Sequence, residues 1–461
     1  MVLNNSIFSI LFRLLRLNFV SSLAYVLATL LLSRNSSPSE IGMFAIWVFA
    51  VELVAIVSDV GFGHQVLQRN AKPEEINKVF FANLAVSFLY LCICGFVGLI
   101  FFPQNAELFF LLCIFKFISI VFSVHSAQAY LEEKYIIESK INLFLLLTVS
   151  ILSIFLLHFD VQVLFLLTLL YGIPKLSSMI ITLFISYRPK MDVDFSVLKE
   201  YVKSGVYLIP NNAMIRLHSQ IERALIGFFY NIDVLGFFMR SRTFSDSVSN
   251  VVFSSGRQLL TRKLSLIKSK VEKENYFQRY LIVVLLAVSA PLVCISALSK
   301  DLILLFLGEA WLESASYIVV LAPFVLVSLK VNLDKIFLFS LYENRSTGKV
   351  TFVQIILYVL SFSLIDYFGG SLVEVILLTT LLYLFLSLML LRKCESVYKA
   401  EALLVHVYLF LLYLIGVLYS FGEYSQGSFF IANVLVLVIF SIIAYVRMRK
   451  KFESTDTFTK L

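Results

Sequence analysis

One polar stripe runs through an otherwise apolar segment from Ile209 to Gly227, and it carries two arginines. At 100° per residue its members fall within about 40° of one line on a helix. They are Asn212, Arg216, Gln220, Arg223 and Gly227. An arginine inside a membrane span costs roughly 2.5–3.5 kcal/mol on insertion scales, so it faces water or a partner. The stripe predicts one wall of a cationic central cavity that would bind an anion, and the alternative is a pair of structural charges inside a helix bundle.

Further charged residues lie within or beside apolar runs. The bases are Lys116, Lys175, Arg240, Arg242, Lys330 and Lys335, and the acids are Glu52, Asp59, Glu222, Asp246 and Asp334. With the two arginines of the stripe, the bases outnumber the acids. That excess needs a counter-ion, which a phosphate-bearing substrate would supply. We therefore predict a substrate-binding cationic lumen at Arg216, Arg223, Lys116, Lys330, Lys175, Arg240 and Arg242.

Complete internal pairing of these charges is the alternative to a cationic lumen. It accounts well for pairs such as Arg240 with Asp246 or Asp334 with Lys335. It accounts poorly for Lys116 and Lys175, which lie near the middle of their spans.

The buried acids are also candidates for coupling transport to H⁺ or Na⁺, because neighbouring groups readily shift the protonation of a buried carboxylate. These candidates are Glu52, Asp59, Glu222, Asp246 and Asp334. Glu222 lies four residues after His218, a spacing that suits either a proton relay or a local hydrogen bond. We expect no other cofactor and no metal, because the histidines are scattered and no nucleotide-binding or metalloprotease motif occurs.

The elements that must position these charges are membrane helices. The 461 residues are 60% hydrophobic and 15% charged, with a mean hydropathy of +0.91, which excludes a soluble domain. Apolar runs of about 20 residues recur from end to end. We predict an all-α polytopic membrane protein with about fourteen transmembrane helices (12–14). The net charge of +8 does not indicate nucleic acid, because it follows the membrane topology.

Basic residues concentrate in alternate loops and in the C-terminal tail, whereas the opposite loops hold only Arg34 and Lys300. Basic loops face the cytoplasm. The distribution predicts that both termini are cytoplasmic. All loops are short, so no extramembrane domain is expected.

An internal repeat indicates a duplicated unit of six spans in the same orientation. The segment LLSRNSSPSEIGMF, 31–44, aligns without gaps with LIGFFYNIDVLGFF, 225–238, and matches Gly42 to Gly236. Two such lobes around a midline cleft form a transporter plan. The predicted organisation is an N-terminal six-helix lobe at 1–190, a C-terminal six-helix lobe at 191–395, and two additional helices with a basic tail at 396–461.

Three blocks resemble a known family. They are SPSEIGMFAIWVFAVELVAIVSDVGFGHQVLQR from Ser37 to Arg69, IERALIGFFYNIDVLGFF followed by MRSR, and DLILLFLGEAW from Asp301 to Trp311. They are similar to the polysaccharide transporter branch of the multidrug/oligosaccharidyl-lipid/polysaccharide exporter superfamily, typified by the O-antigen flippase. The resemblance spans roughly residues 10–395, and two features depart from the family pattern: Glu222 stands where aspartate is common, and Arg240 adds a charge.

The resemblance implies a two-lobed bundle that moves undecaprenyl-pyrophosphate-linked oligosaccharide from the cytoplasmic to the periplasmic leaflet by ion-coupled alternating access. A polysaccharide polymerase and a chain-length regulator are the protein partners it implies. One rival is a drug or cation exporter of the same superfamily, which would need an acidic, aromatic cavity. A second rival is the O-antigen polymerase, an enzyme expected to have a large periplasmic loop. A third rival, a pore-forming or scaffold protein, would not need two repeats with buried lysines at roughly equivalent places, as Lys116 and Lys330 are here.

Overall fold

The computed structural model describes residues 2–58, 62–69, 72–132, 134–185, 213–214, 216–267, 269–341, 344–390, 399–421 and 426–456. Throughout this part of the chain the regular structure is helical, without strands, and the predicted all-α class is confirmed. The chain forms two compact units, which we name the N unit (1–236) and the C unit (237–461). The predicted boundary at 190/191 lies outside the described residues, so that division stays a prediction.

The described part of the N unit is a set of helices joined by short connections. They are α1 (Val2–Arg34), α2 (Pro38–Ser58), α3 (Phe62–Arg69), α4 (Pro73–Phe101), α5 (Ala106–Val121), α6 (Ser123–Leu131), α7 (Tyr135–Leu157), α8 (Val163–Gly172), α9 (Ser177–Ile180) and α10 (216–229). Short 3₁₀ turns precede α5 and flank α9. Helix α2 packs against α4, α5 and α8, and this packing builds the interior of the unit.

The start of α2 is determined by local sequence. Ser37, Pro38 and Glu40 form a capping box with proline at the first helical position. The Glu40 amide donates to Ser37 Oγ at 3.3 Å, and the Ser37 amide donates back to Glu40 Oε2 at 2.8 Å. Because the box fixes the residue at which α2 begins, it also fixes the position of Glu52 relative to the start of the helix.

The remaining described helices belong to the C unit, although α11 starts just before the unit boundary. They are α11 (Ile232–Leu266), α12 (Lys270–Ala297), α13 (Ser299–Phe306), α14 (Glu313–Ser340), α15 (Asn344–Tyr367), α16 (Leu372–Leu390), α17 (Lys399–Phe421) and α18 (Gln426–Asp456). Helix α14 is central, since it packs against α12, α15, α16 and α17. The predicted C-terminal helix pair corresponds to α17 and α18, which pack on other helices of this unit.

The chain is a multi-pass membrane protein. Among the described residues, ten helical segments are long and apolar enough to cross a membrane, and Phe19–Arg34 and Ile431–Ala444 are shorter apolar helices. In the most apolar stretch of α4, 22% of the residues are buried. Phenylalanines such as Phe88 and Phe96 are exposed, as expected for a helix that faces lipid. In α14 the corresponding value is 89%, so this helix is an internal one. The total of about fourteen spans stays a prediction.

The two glycines matched by the sequence repeat lie at reciprocal close contacts. A Cβ atom at Gly42 would collide with the carbonyl oxygen of Ile232, and one at Gly236 would collide with that of Pro38. Pro38 precedes Gly42 by four residues, as Ile232 precedes Gly236. The matched segments therefore contact each other through equivalent positions in exchanged roles, and only glycine permits this backbone approach.

Candidate functional site

A carboxylate on α2 lies at the centre of a cluster of cations in the N unit. Lys116 Nζ donates to both oxygens of Glu52 at 2.8 Å. Tyr171 Oη donates to Oε1 of the same carboxylate at 2.8 Å, and Arg216 Nη1 lies 3.8 Å from Oε2. Lys175 Nζ lies 4.0 Å from the centroid of the Tyr171 ring, a cation–π contact. We call these five side chains the N-unit cluster.

Close packing of α5 on α8 brings two of these groups to the same carboxylate. A side chain at Gly172, the last residue of α8, would overlap the ring of Phe115 on α5. The neighbours of these two residues in sequence are Tyr171 and Lys116, and both bind Glu52. A 3₁₀ turn then follows α8, and this turn places Lys175 over the Tyr171 ring.

Cations outnumber carboxylates in the cluster, and part of the Arg216 side chain is exposed. The cluster contains three cations and one carboxylate, so positive charges exceed negative ones by two among these five side chains. The Lys116 and Glu52 side chains are 11% and 14% exposed, while that of Arg216 is 28% exposed. Because a charged guanidinium is not left in hydrocarbon, this exposed part must face water or a polar ligand.

The described part of the stripe on α10 is helical as predicted, and its two arginines have different surroundings. Arg216 approaches Glu52, whereas Arg223 Nη1 donates to Gln220 Oε1 at 2.7 Å on its own helix. Glu222 and His218 are half-buried residues of α10, and a proton relay between them stays a prediction. Asn212, at the start of the stripe, and Asp59 lie outside the described residues.

A second buried group of polar side chains lies in the C unit, on α14, α16 and α17. Lys330 Nζ donates to Asp334 Oδ2 at 2.7 Å and to Ser387 Oγ at 2.7 Å. Ser387 Oγ donates to Asp334 Oδ2 at 3.3 Å, and His406 Nε2 lies 3.0 Å from Ser387 Oγ. Lys330 is completely buried. We call these four side chains the C-unit cluster.

The other predicted lumen residues of the C unit lie on α11. Arg240 is buried, and Arg242 pairs with Asp246 at 3.1 Å. The Arg242 guanidinium also lies 5.2 Å from the ring centroid of Phe324 on α14.

One of the expected internal pairs is corrected by the structure. Asp334 pairs with Lys330, not with the adjacent Lys335, whose ammonium donates to Gln354 Oε1 at 2.8 Å. Adjacent residues point about 100° apart on a helix, whereas residues four apart share a face. The same spacing explains why Asp246 is bound by Arg242.

We expected that internal pairing would not account for Lys116. That expectation was wrong, because Lys116 makes the closest contact with the Glu52 carboxylate in the N-unit cluster. Lys175 is different. In the part of the chain that the structure describes, its ammonium contacts the Tyr171 ring and forms no ion pair.

Three residues of the clusters were missed by sequence reasoning, namely Tyr171, Ser387 and His406. Tyr171 lies four residues before Lys175, so helical spacing gave a weak signal for it. His406 is a lone histidine in an apolar run, and Ser387 resembles many buried membrane serines, so only tertiary contacts identify them.

The molecule is thus a multi-pass helical membrane protein with a net-positive charged cluster inside its N unit. A family model described as polysaccharide biosynthesis protein matches residues 27–316, and the chain belongs to this family. The family predicted from the three sequence blocks is confirmed. A search of curated proteins found no match.

The fold is similar to that of a solved flippase. The lipid II flippase MurJ, in an inward closed conformation, aligns over 96% of this chain and 99% of its own, with a TM-score of 0.66 and 14% identity. The MATE multidrug transporter DinF-BH aligns over 95% of this chain and 94% of its own, at 12% identity and a TM-score of 0.43. At such low identity, the match to MurJ shows a shared fold.

Proposed function

We propose that this protein is a flippase, a transporter and not an enzyme. It would move a pyrophosphate-linked oligosaccharide on a polyprenyl carrier, such as an undecaprenyl-linked O-antigen or other polysaccharide repeat unit, from the cytoplasmic to the periplasmic leaflet. The observation that carries the proposal is the N-unit cluster, which brings three cations and one carboxylate together inside a unit of membrane helices. Family membership supplies the biological setting, which is polysaccharide biosynthesis.

The chemistry of the cluster suits a pyrophosphate. Arginine and lysine bind phosphate oxygens through charge-assisted hydrogen bonds, and such bonds strengthen where water is scarce. Lys116, Lys175 and Arg216 come from three different elements, so they can surround a multivalent anion. The polyprenyl tail would remain in lipid. Transfer then requires no covalent chemistry, only two states of similar energy that expose the cluster to opposite sides.

Coupling to an ion gradient is a second part of the proposal. H⁺ or Na⁺ would act through the buried carboxylates, among which Asp334 is enclosed by Lys330, Ser387 and His406. We expect the protein in the bacterial cytoplasmic membrane with both termini in the cytoplasm. A polymerase and a chain-length regulator are its expected partners.

Deletion of the gene tests the proposal, with the lipid-linked intermediates assayed on each leaflet. We expect pyrophosphate-linked sugar units to accumulate on the cytoplasmic side. Wild-type protein should relieve this, whereas Lys116→Ala combined with Arg216→Ala should not. Lys300→Ala is the matched control, because Lys300 is an exposed lysine on α13.

Each other outcome has a distinct meaning. Relief by the double variant would return both cations to a structural role while keeping the flippase. Accumulation of unpolymerised units on the periplasmic side would indicate the polymerase. Absence of any lipid intermediate would contradict the proposal and favour a small-molecule exporter.

A further inference from the structure

Glu52 occupies the position that an anionic ligand would take in the N-unit cluster. Its carboxylate accepts hydrogen bonds from Lys116 and Tyr171, all at 2.8 Å. Carboxylates and phosphates both accept hydrogen bonds from ammonium, phenol and guanidinium donors. The Glu52 side chain is therefore bound as a ligand would be, although it belongs to the protein.

Glu52 does not engage all three cations of the cluster equally. Arg216 Nη1 is 3.8 Å from the carboxylate, which is beyond hydrogen-bond distance. Lys175 faces the Tyr171 ring and forms no ion pair among the described residues. The carboxylate thus fully engages only Lys116, and a pyrophosphate with more oxygens and more charge can engage all three cations.

Groups within electrostatic range of Glu52 come from several of the described elements beside α2. They are Lys116 on α5, Tyr171 on α8, Lys175 in the following turn, Arg216 on α10 and Tyr90 on α4. Among them the cations lie within electrostatic range of one another, and without an anion they would repel. The empty site therefore needs a negative charge of its own.

We propose that Glu52 is a tethered counter-ion that holds the anion site while it is empty and is displaced when the pyrophosphate binds. This inference rests on the proposed function, since it assumes that the N-unit cluster is the anion site. Glu52 then has two roles. Glu52 keeps the cations together between transport cycles, and by competing with the substrate it weakens binding enough for release.

The test measures binding of inorganic pyrophosphate to the purified full-length protein in nanodiscs of zwitterionic lipid. Glu52→Gln keeps the shape and removes the charge. In wild type the negative charge of Glu52 repels the negative charge of a bound pyrophosphate, and the glutamine does not. We expect at least about tenfold tighter binding for Glu52→Gln, which corresponds to about 1.4 kcal/mol. Expression of this variant in the deletion strain should restore transport less well than wild type, because release is slower.

Glu40→Gln is the matched control. It removes the same charge from the same helix at a half-buried position twelve residues away, which is about 18 Å along the axis. Glutamine also serves at this position of a capping box, so the helix start should be kept. The affinity of Glu40→Gln for pyrophosphate should match that of wild type. If Glu52→Gln does not fold, Glu52→Asp keeps the charge but shortens its reach to Lys116, and it should tighten binding to a smaller extent.

The outcomes separate this inference from the proposed function. Equal or weaker binding by Glu52→Gln, together with loss of binding by Lys116→Gln, would overturn the counter-ion and keep the anion site. Absence of pyrophosphate binding in wild type and all variants would overturn both. Adding anionic phosphatidylglycerol to the nanodiscs distinguishes the source of the ligand, since competition by this lipid alone would mean that the cluster binds a membrane headgroup.

Discussion

Lys116 and Lys330 occupy roughly equivalent places in the predicted repeats, yet their surroundings differ. Lys330 is completely buried, and Asp334, one turn away on the same helix, balances its charge. Lys116 is also buried, with 11% of its side chain exposed, and it shares its carboxylate with a tyrosine and an arginine from other elements. The C-unit cluster is balanced in charge, whereas the N-unit cluster has cations in excess. We therefore expect the N-unit cluster, and not the C-unit cluster, to be the ligand site.

The largest expected effect is on the stability of the C unit. Lys330→Ala leaves the Asp334 carboxylate buried beside a serine, and breaking such a pair costs about 3–5 kcal/mol. Unfolding of the purified protein, followed in mixed micelles, would show it. Lys330→Ala combined with Asp334→Ala should recover most of that loss, because no uncompensated charge remains. A double variant as unstable as the single one would mean that Lys330 acts by packing alone.

A smaller loss of stability is expected in the N unit. Lys116→Ala removes a charge-assisted contact, for which hydrogen bonds to charged groups suggest about 1.5–3 kcal/mol. Glu52 would keep Tyr171 and the nearby Arg216, so the loss should stay below that of Lys330→Ala. Pyrophosphate binding should nevertheless be lost. If Lys116→Ala unfolds the protein as strongly as Lys330→Ala, the two clusters are both structural and the comparison fails.

The smallest effect should come from the tyrosine between the two lysines of the N-unit cluster. Tyr171→Phe removes the hydroxyl that binds Glu52 but keeps the ring beneath Lys175, and we expect a loss of about 0.5–1.5 kcal/mol. Tyr171→Leu removes the cation–π contact as well and should cost about 0.5–1 kcal/mol more. Thermal unfolding of both variants side by side measures the difference. Identical midpoints would show that the ring does not hold Lys175.

Much of the fold could be predicted from the sequence because its determinants are local. Hydropathy and length define membrane helices wherever backbone groups must be satisfied without water. The start of α2 follows from the capping box at Ser37 and Glu40. The cationic stripe on α10 follows from helical periodicity, and the alignment of Gly42 with Gly236 identified two segments that contact each other in the structure.

The pairing of charges was predicted less well. Two ion pairs join residues four positions apart on one helix, namely Lys330 with Asp334 and Arg242 with Asp246. Helix geometry alone therefore predicts both pairs. Under the alternative of complete internal pairing, Asp334 was matched with the adjacent Lys335, whereas the structure pairs it with Lys330. The error has a simple physical cause, because adjacent residues on a helix point in different directions and cannot share one face.

The sequence by itself determined that this chain is a helical membrane protein, which family it resembles, and that cations outnumber acids inside it. These properties depend on composition, on periodicity and on short motifs. Only the tertiary structure decided which cations share a counter-ion. Glu52 lies 64 residues from Lys116 and 119 residues from Tyr171, and no local rule relates positions so far apart. The close approach of α5 to α8 at Gly172 brings Lys116 and Tyr171 to the same carboxylate. The packing of whole helices, and not the spacing of residues along one helix, thus places groups that are far apart in sequence side by side.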